Sequence, residues 1–463
     1  MTPDLPVAAG YGLAKITPDR PLALAGIAGV RHGRRTLDDL YVRAVVLRQG
    51  ATTLVLVAID TLYVSRAIAA RLEAWLLRTH HIAAAHLFLA ATHTHCAPLL
   101  LPNYFDDVPL DEPYVDLVVR QAQAAIELAV AGTRDVAIAF AATDAPVSIN
   151  RRAMRWDVSL RSPRPRRIMA NRPNHGGPVD NRVRVIWLRR PAADEYDVAI
   201  ISVGCHPSIL RGEVYSADFP GRIERHLNES RSRPVRVVFL QGFSGDTRPR
   251  LLESPPPAIW PPRRAFDWLF DRERFRKDSA VEDADAVAKA IADAVPHAAE
   301  QEVPAVMLRA TKREVLLPLA ESPDREEMSR VAFNDPRDAN RRRARFVLDA
   351  YASGPTASLL VHTWSLSGNL HLVGLEGEVF CGYSLPLPAS SDDGEMTVPV
   401  GCVGGMVGYI PTADALAKGG YEVDRSRSIF GVPSRFGADI DPIVRSALKG
   451  PAPHTTAEPS NVA

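Results

Sequence analysis

Apolar runs of strand length, rich in valine, isoleucine and leucine, recur through the 463 residues and alternate with longer stretches whose apolar side chains return at three-and-four spacing. The runs include "YVRAVVLRQ" (41–49), "TLVLVAID" (53–60), "AHLFLAAT" (85–92), "DVAIAFAA" (135–142), "RVRVIWL" (182–188), "DVAIISVGCH" (197–206) and "VRVVFLQG" (235–242). Three more follow at 357–366, 370–377 and 396–405. Helical spacing predicts helices over 65–79, 113–131, 219–230, 283–300 and 324–350, and "GATTL" between the first two runs reads as a hairpin turn. This alternation predicts an α/β fold, a single large domain over 1–449 with a mixed β-sheet core flanked by helices. Proline density predicts loops at 161–181 and 251–264 and a disordered tail over 450–463.

Charge excludes several functions. There are 55 basic and 54 acidic residues, a formal net charge of +1, so no overall field favours nucleic acid or an anionic membrane. No apolar run approaches the roughly 18–20 residues that a spanning helix needs. The four cysteines, Cys96, Cys205, Cys381 and Cys402, lie far apart with no CxxC, unlike a disulfide scaffold. The N-terminal residues lack a basic segment followed by an apolar one, so a cytoplasmic location is expected.

Two of the apolar runs end alike. "LFLAATHTHCAP" closes on His93 and His95, and "AIISVGCHPSIL" closes on His206, each followed by proline. In an extended strand His93 and His95 would share a face, with Thr92, Thr94 and Cys96 on the other. Read alone, the pair also suits two hydrogen-bonded polar residues at a strand end. A second strand-end histidine turns the reading toward a zinc site, which takes three or four ligands, commonly histidine with a carboxylate. The carboxylate is Glu376 or Glu378 in "VGLEGEVFCGY", and the residues alone do not choose between them. Gly377 between them allows a close backbone approach. Asp246 follows a strand in a turn, and Tyr409 and Tyr421 bracket a short helix. Asp218 and Asp246 are expected to organise loops, one of them holding the ring of His206.

Taken in order, these segments resemble the catalytic domain of the neutral ceramidase family. The resemblance starts at "AKITPD" and continues through "VAIDTLYVS", "ATHTHCAP", "INRR", "GCHPSIL…YSADFPG", "GEVFCG" and "GYIPTADALAKGGYEV". It implies Zn²⁺ bound by His93, His206, Glu378 and Tyr409, with His95, Arg151 and Tyr421 facing a substrate amide. The chain departs from the family where a Gly-Asp-Val-Ser-Pro-Asn segment reads Gly245-Asp246-Thr247-Arg248-Pro249-Arg250. Arginine replaces the serine, so a serine acyl-enzyme is not expected. The chain is also expected to lack the family's C-terminal β-sandwich.

The implied activity is zinc-dependent hydrolysis of a carboxamide in a small N-acyl substrate, ceramide or another, by water whose pKa the metal lowers from 15.7 toward about 7. Glu376, Glu378 and Asp218 are the candidates for carrying the proton to the leaving amine. An ester or lactone hydrolase with the same centre, or a metal-binding protein without turnover, are the alternatives.

Overall fold

The computed structural model describes residues 5–253 and 273–449, apart from 27–29, 102–107, 158–165, 192–195, 230, 304, 321–324, 337–339, scattered positions over 343–355, 389–394, 431 and 433. The proposed tail and most of the proline-rich 251–264 stretch lie outside the described residues.

Two five-stranded sheets form the centre. The first runs in the order Leu87–Ala91, Thr52–Ile59, Tyr41–Gln49, Ala8–Lys15, Arg134–Asp135. The second runs Val235–Gln241, Asp197–Val203, Arg182–Arg189, Ala137–Asp144, Gln301–Glu302. Most pairs are antiparallel, but Leu87–Ala91 lies parallel to Thr52–Ile59, and Val235–Gln241 parallel to Asp197–Val203. The hairpin turn at Gly50 and Ala51 joins Gln49 to Thr52 as its composition predicts.

The period of two decides the layers. Leu54, Leu56 and Ala58 from one sheet meet Val198, Ile200, Val238 and Leu240 from the other in a shared core. The alternate residues Val55, Val57 and Ile59 turn outward under the helices Arg66–His80 and Glu112–Ala131. Ala199, Ile201, Val237 and Phe239 likewise turn outward under Ile223–Glu229 and Val281–Ala294. Both faces of each sheet are therefore covered, which is why the strands read as nearly continuous apolar runs. A four-stranded sheet, Arg309–Pro318, Thr356–Ser365, Leu370–Leu375 and Met396–Val400, closes one side and packs against Ile440–Leu448.

The helix Glu112–Ala131 lies very close to the first sheet. A Cβ at Gly12 would sit 1.9 Å from the Ala125 carbonyl oxygen, so only glycine fits beneath that helix. Gly12→Ala is expected to lower stability by about 2–3 kcal/mol, because main chain rather than a mobile side chain would have to yield. Urea denaturation measures it; a loss below about 0.5 kcal/mol would contradict the packing.

Three expectations need correction. The stretch expected as a loop over 161–181 contains a strand, Arg166–Asn174, paired antiparallel with Ser148–Asp157. It is an edge strand, where Pro173 removes no ladder bond that a neighbour needs. The helix expected over 324–350 is interrupted: Arg325–Asn334 stops before Pro336, which disfavours helical geometry at Asp335, and helical residues are present again at 340–342. The run expected to continue as strand through 405 leaves the ladder after Val400 and turns at Cys402, with φ of 57°.

Candidate metal centre

The turn at 401–404 ties the three sheets together. Gly401 N–H donates to the Gln241 carbonyl (2.8 Å), Cys402 N–H to that of Gly377 (3.0 Å) and Gly404 N–H to that of Leu89 (2.7 Å). The strand ends that precede Tyr63, His93, His206 and Glu378 are thereby held around one space. Loops at carboxyl ends of strands are the usual place for ligand crevices in α/β folds.

His93 does not continue its strand. The ladder ends at Ala91, and His93 adopts a left-handed conformation with φ of 69°. The two histidines converge, their ring centroids 5.4 Å apart, through this turn rather than through strand alternation. A non-glycine residue pays strain of about 1–2 kcal/mol in such a conformation.

His93 Nδ1 meets the Leu62 carbonyl at 3.0 Å, leaving Nε2 pointing at Glu378 Oε2, 3.6 Å away. His206 Nδ1 lies 3.9 Å from the same oxygen. All three atoms, His93 Nε2, His206 Nδ1 and Glu378 Oε2, are buried without a hydrogen-bond partner among the described residues. Donors bound tetrahedrally to zinc at about 2.0–2.1 Å stand roughly 3.4 Å apart, so the cluster is close to the size a metal requires. His93, His95 and His206 also present ring nitrogens within 4.8 Å of one another. The ring of His95 is already satisfied, however, with Nδ1 at 2.8 Å from the Gly26 carbonyl and Nε2 at 2.9 Å from His206 Nε2. The unsatisfied atoms favour His93, His206 and Glu378 as the set that fits a cation.

Charge points the same way. Burial, then the nearby His93, pushes His95 down to about 3, and burial with His93 and Arg151 keeps His206 well below the usual imidazole range. Burial works against charge on His93 too, yet the Cys402 and Glu378 groups beside it outweigh that and raise it to about 10. The pocket thus favours a positive charge next to Glu378. Burial would raise Glu378, but His93 and Arg151 draw it below the ordinary carboxylate range.

Glu376 is placed elsewhere. Buried like Glu378, it accepts from Arg66 Nε (2.8 Å) and from Leu360 N–H (2.9 Å). Gly377 separates the two acids with φ of 143°, and a Cβ there would sit 2.6 Å from the Gly408 carbonyl oxygen. That close approach lets Glu378 pair in register with Tyr409 in a short parallel bridge. Burial, then Glu378, lifts the Tyr409 phenol well above its normal value.

Arg151 reaches the same space from the strand Ser148–Asp157, its guanidinium 5.5 Å from the Tyr409 ring centre. It donates to the Gly245 carbonyl (2.7 Å) and pairs through Nε with Glu422 (3.0 Å). Tyr421 stacks edge-on to Tyr409 at 6.1 Å and is 39% exposed, the outermost of the site residues named from sequence. Neither aspartate holds His206. Asp246 accepts from Cys381 N–H (2.8 Å) and Asn150 Nδ2 (3.1 Å), and Asp218 from Leu210 and Phe219 N–H (2.8 and 2.7 Å).

Neutral ceramidase from Pseudomonas aeruginosa superposes with a TM-score of 0.67 at 17% identity, over 96% of this chain and 74% of the other. The chain has the neutral ceramidase fold. A ceramidase complexed with C2 gives a TM-score of 0.65 at 15% identity with the same coverage. No family model matches the chain, and neither does any curated protein sequence. At these identities the likeness is one of fold, in agreement with the order of motifs along the sequence.

Within this ceramidase fold, two residues at the site escaped sequence reasoning. Tyr63 donates its hydroxyl to Glu378 Oε1 at 2.6 Å, and Glu422 bridges Arg151 and Arg152. Both lie inside segments that carried the resemblance, "VAIDTLYVS" and "GGYEV", but neither residue type marks metal chemistry by itself. Among the described residues no helix is long and apolar enough to cross a membrane.

Proposed function

We propose that the site binds one zinc ion through His93, His206, Glu378 and Tyr409 and hydrolyses a carboxamide in a small N-acyl compound. The observation that carries this reading is the convergence of three buried, unpartnered donors, His93 Nε2, His206 Nδ1 and Glu378 Oε2. Two neutral imidazoles and a carboxylate suit zinc, and the structural neighbours are ceramidases. A bound zinc supplies Lewis acidity and a water of lowered pKa.

The chain's own groups do the rest. Leu62 fixes the His93 ring through Nδ1, and His95 fixes that of His206 through Nε2, so each presents its other nitrogen inward. Tyr63 orients the Glu378 carboxylate through Oε1. Arg151, held by Glu422 and the Gly245 carbonyl, places a permanent cation where an acyl oxygen gains negative charge, and Tyr421 offers a phenol at the rim. Hydrolysis breaks the C–N bond, adds hydroxyl to the acyl carbon and delivers a proton to the amine. Four free, buried cysteines suit the reducing cytoplasm included in this reading.

Matched N-acyl amide and ester substrates, assayed with purified protein of known zinc content, test the reaction class. Amide turnover that disappears on chelation and returns with zinc is the expected outcome. Turnover confined to esters would transfer the site to ester or lactone hydrolysis, and stoichiometric zinc without turnover of either would favour a binding protein. Tyr63→Phe is expected to weaken zinc affinity by about 10–100-fold, as loss of an outer hydrogen bond to a ligand does. Competition with a zinc-binding dye measures it, and unchanged affinity would leave Tyr63 as packing alone.

A further inference from the structure

Arg248 occupies the position where the chain departs from the family motif. On the short strand Thr247–Pro249 it lies opposite Ile149 of Ser148–Asp157. Arg151 is two residues beyond Ile149, and its N–H bonds the Asp246 carbonyl, making Arg151 and Arg248 diagonal neighbours across the pair. Long side chains in that relation reach a common space.

The Arg248 guanidinium stacks over the Phe275 ring, 4.6 Å from its centre, and is only partly exposed. Arg211, from the segment that follows His206, is a further cation acting on it. Among the described residues no carboxylate pairs with Arg248 or Arg211, whereas Arg151 has Glu422. Burial and the repulsion of Arg211 and Arg151 lower Arg248 to about 9. An aromatic shelf supports a planar cation diagonally across the strand pair from Arg151, and among the described residues this cation has no counter-anion. The planar, two-pronged donor geometry of arginine matches a carboxylate.

We propose that Arg248, flanked by Arg211, receives a carboxylate carried by the substrate, so that the site takes anionic N-acyl compounds in preference to neutral ones. This rests on the hydrolase reading for its chemistry, but recognition of the anion can be measured without turnover.

The experiment compares N-octanoylglycine and N-octylsuccinamate, with the carboxylate on either side of the amide, against neutral N-octanoylglycinamide. Calorimetric binding and, separately, kcat/KM are measured on the full chain as purified. At least one anionic probe is expected to bind more tightly than the neutral one, on the order of 10–100-fold, the range for hydrogen bonds to charged groups. Arg248→Gln should shrink that ratio at least tenfold, and Arg248→Lys, which keeps the charge but not the fork, should retain part of it. Circular dichroism checks folding, and Arg211→Gln serves as the second variant, with a smaller loss of the same ratio. Equal binding of anionic and neutral probes, no binding of any probe, or an unchanged ratio in a folded Arg248→Gln chain overturns the proposal. Selective binding of the anion without hydrolysis would uphold it while rejecting the hydrolase reading. Turnover without charge preference would do the reverse.

Discussion

A His206→Ala chain is expected to purify with less than about a tenth of the zinc held by the wild type and to cleave amides at least ~100-fold more slowly. Outer hydrogen bonds to metal ligands are alone worth about 10–100-fold, so loss of a direct donor exceeds that range. The substitution removes the Nδ1 donor 3.9 Å from Glu378 Oε2 and leaves His95 Nε2 buried without the partner it holds at 2.9 Å. The second effect costs about 1–3 kcal/mol of stability. Elemental analysis gives the zinc content, and thermal melts separate the two effects. A ligand that binds only the native state raises its stability, so a chelator should lower the melting temperature of the wild type and leave that of the variant unmoved. Wild-type zinc content in a folded His206→Ala chain would remove His206 from the donor set.

Glu422→Ala is expected to cost about 3–5 kcal/mol, the range for removing one partner of a buried ion pair. Glu422 is buried in the turn Tyr421–Arg425 and faces two buried guanidiniums, Arg151 through Oε1 at 3.0 Å and Arg152 through Oε2. Arg152 is further tied to the Gly419 carbonyl at 2.6 Å, so it cannot swing into solvent when the carboxylate is lost. Both cations would stay buried, Arg151 over the Tyr409 ring and Arg152 over that of Phe380. Urea denaturation with Glu422→Gln as the intermediate case measures the effect. A loss under about 1 kcal/mol would show that the two arginines find other partners. A large loss of stability with unchanged kcat/KM in the surviving folded fraction would separate Glu422 from catalysis.

Much of the architecture was legible in the chain because a strand covered on both sides must be apolar at every position. The runs at 41–49, 53–60 and 235–242 locate the observed strands to within a residue. Ser65 caps the helix Arg66–His80 by accepting from Ile68 N–H, and the apolar spacing from Ile68 to Leu76 marks its buried face. Errors arose where neighbours override local pattern. An edge position tolerates Pro173 in a strand that composition marks as loop, and the run after Val400 leaves its ladder to bind three sheets at once.

The site divides in the same way. Strand-end histidines and a glycine-flanked acid are visible in one dimension, because their type and punctuation are local properties. Which acid faces the histidines is not local. Glu376 and Glu378 are two residues apart with similar surroundings in sequence, and only packing sends one to Arg66 and the other to His93 and His206. Tyr63 and Glu422 act through hydrogen bonds to residues hundreds of positions away, 315 in the first case and about 270 in the second, and no spacing rule reaches that far. The order of apolar runs, the cysteine pattern and the identity of the possible ligands were therefore properties of the sequence itself. The convergence of His93 Nε2, His206 Nδ1 and Glu378 Oε2, and the absence of a described carboxylate beside Arg248, were decided by the tertiary structure, because long-range register and burial determine which polar atoms are left without partners.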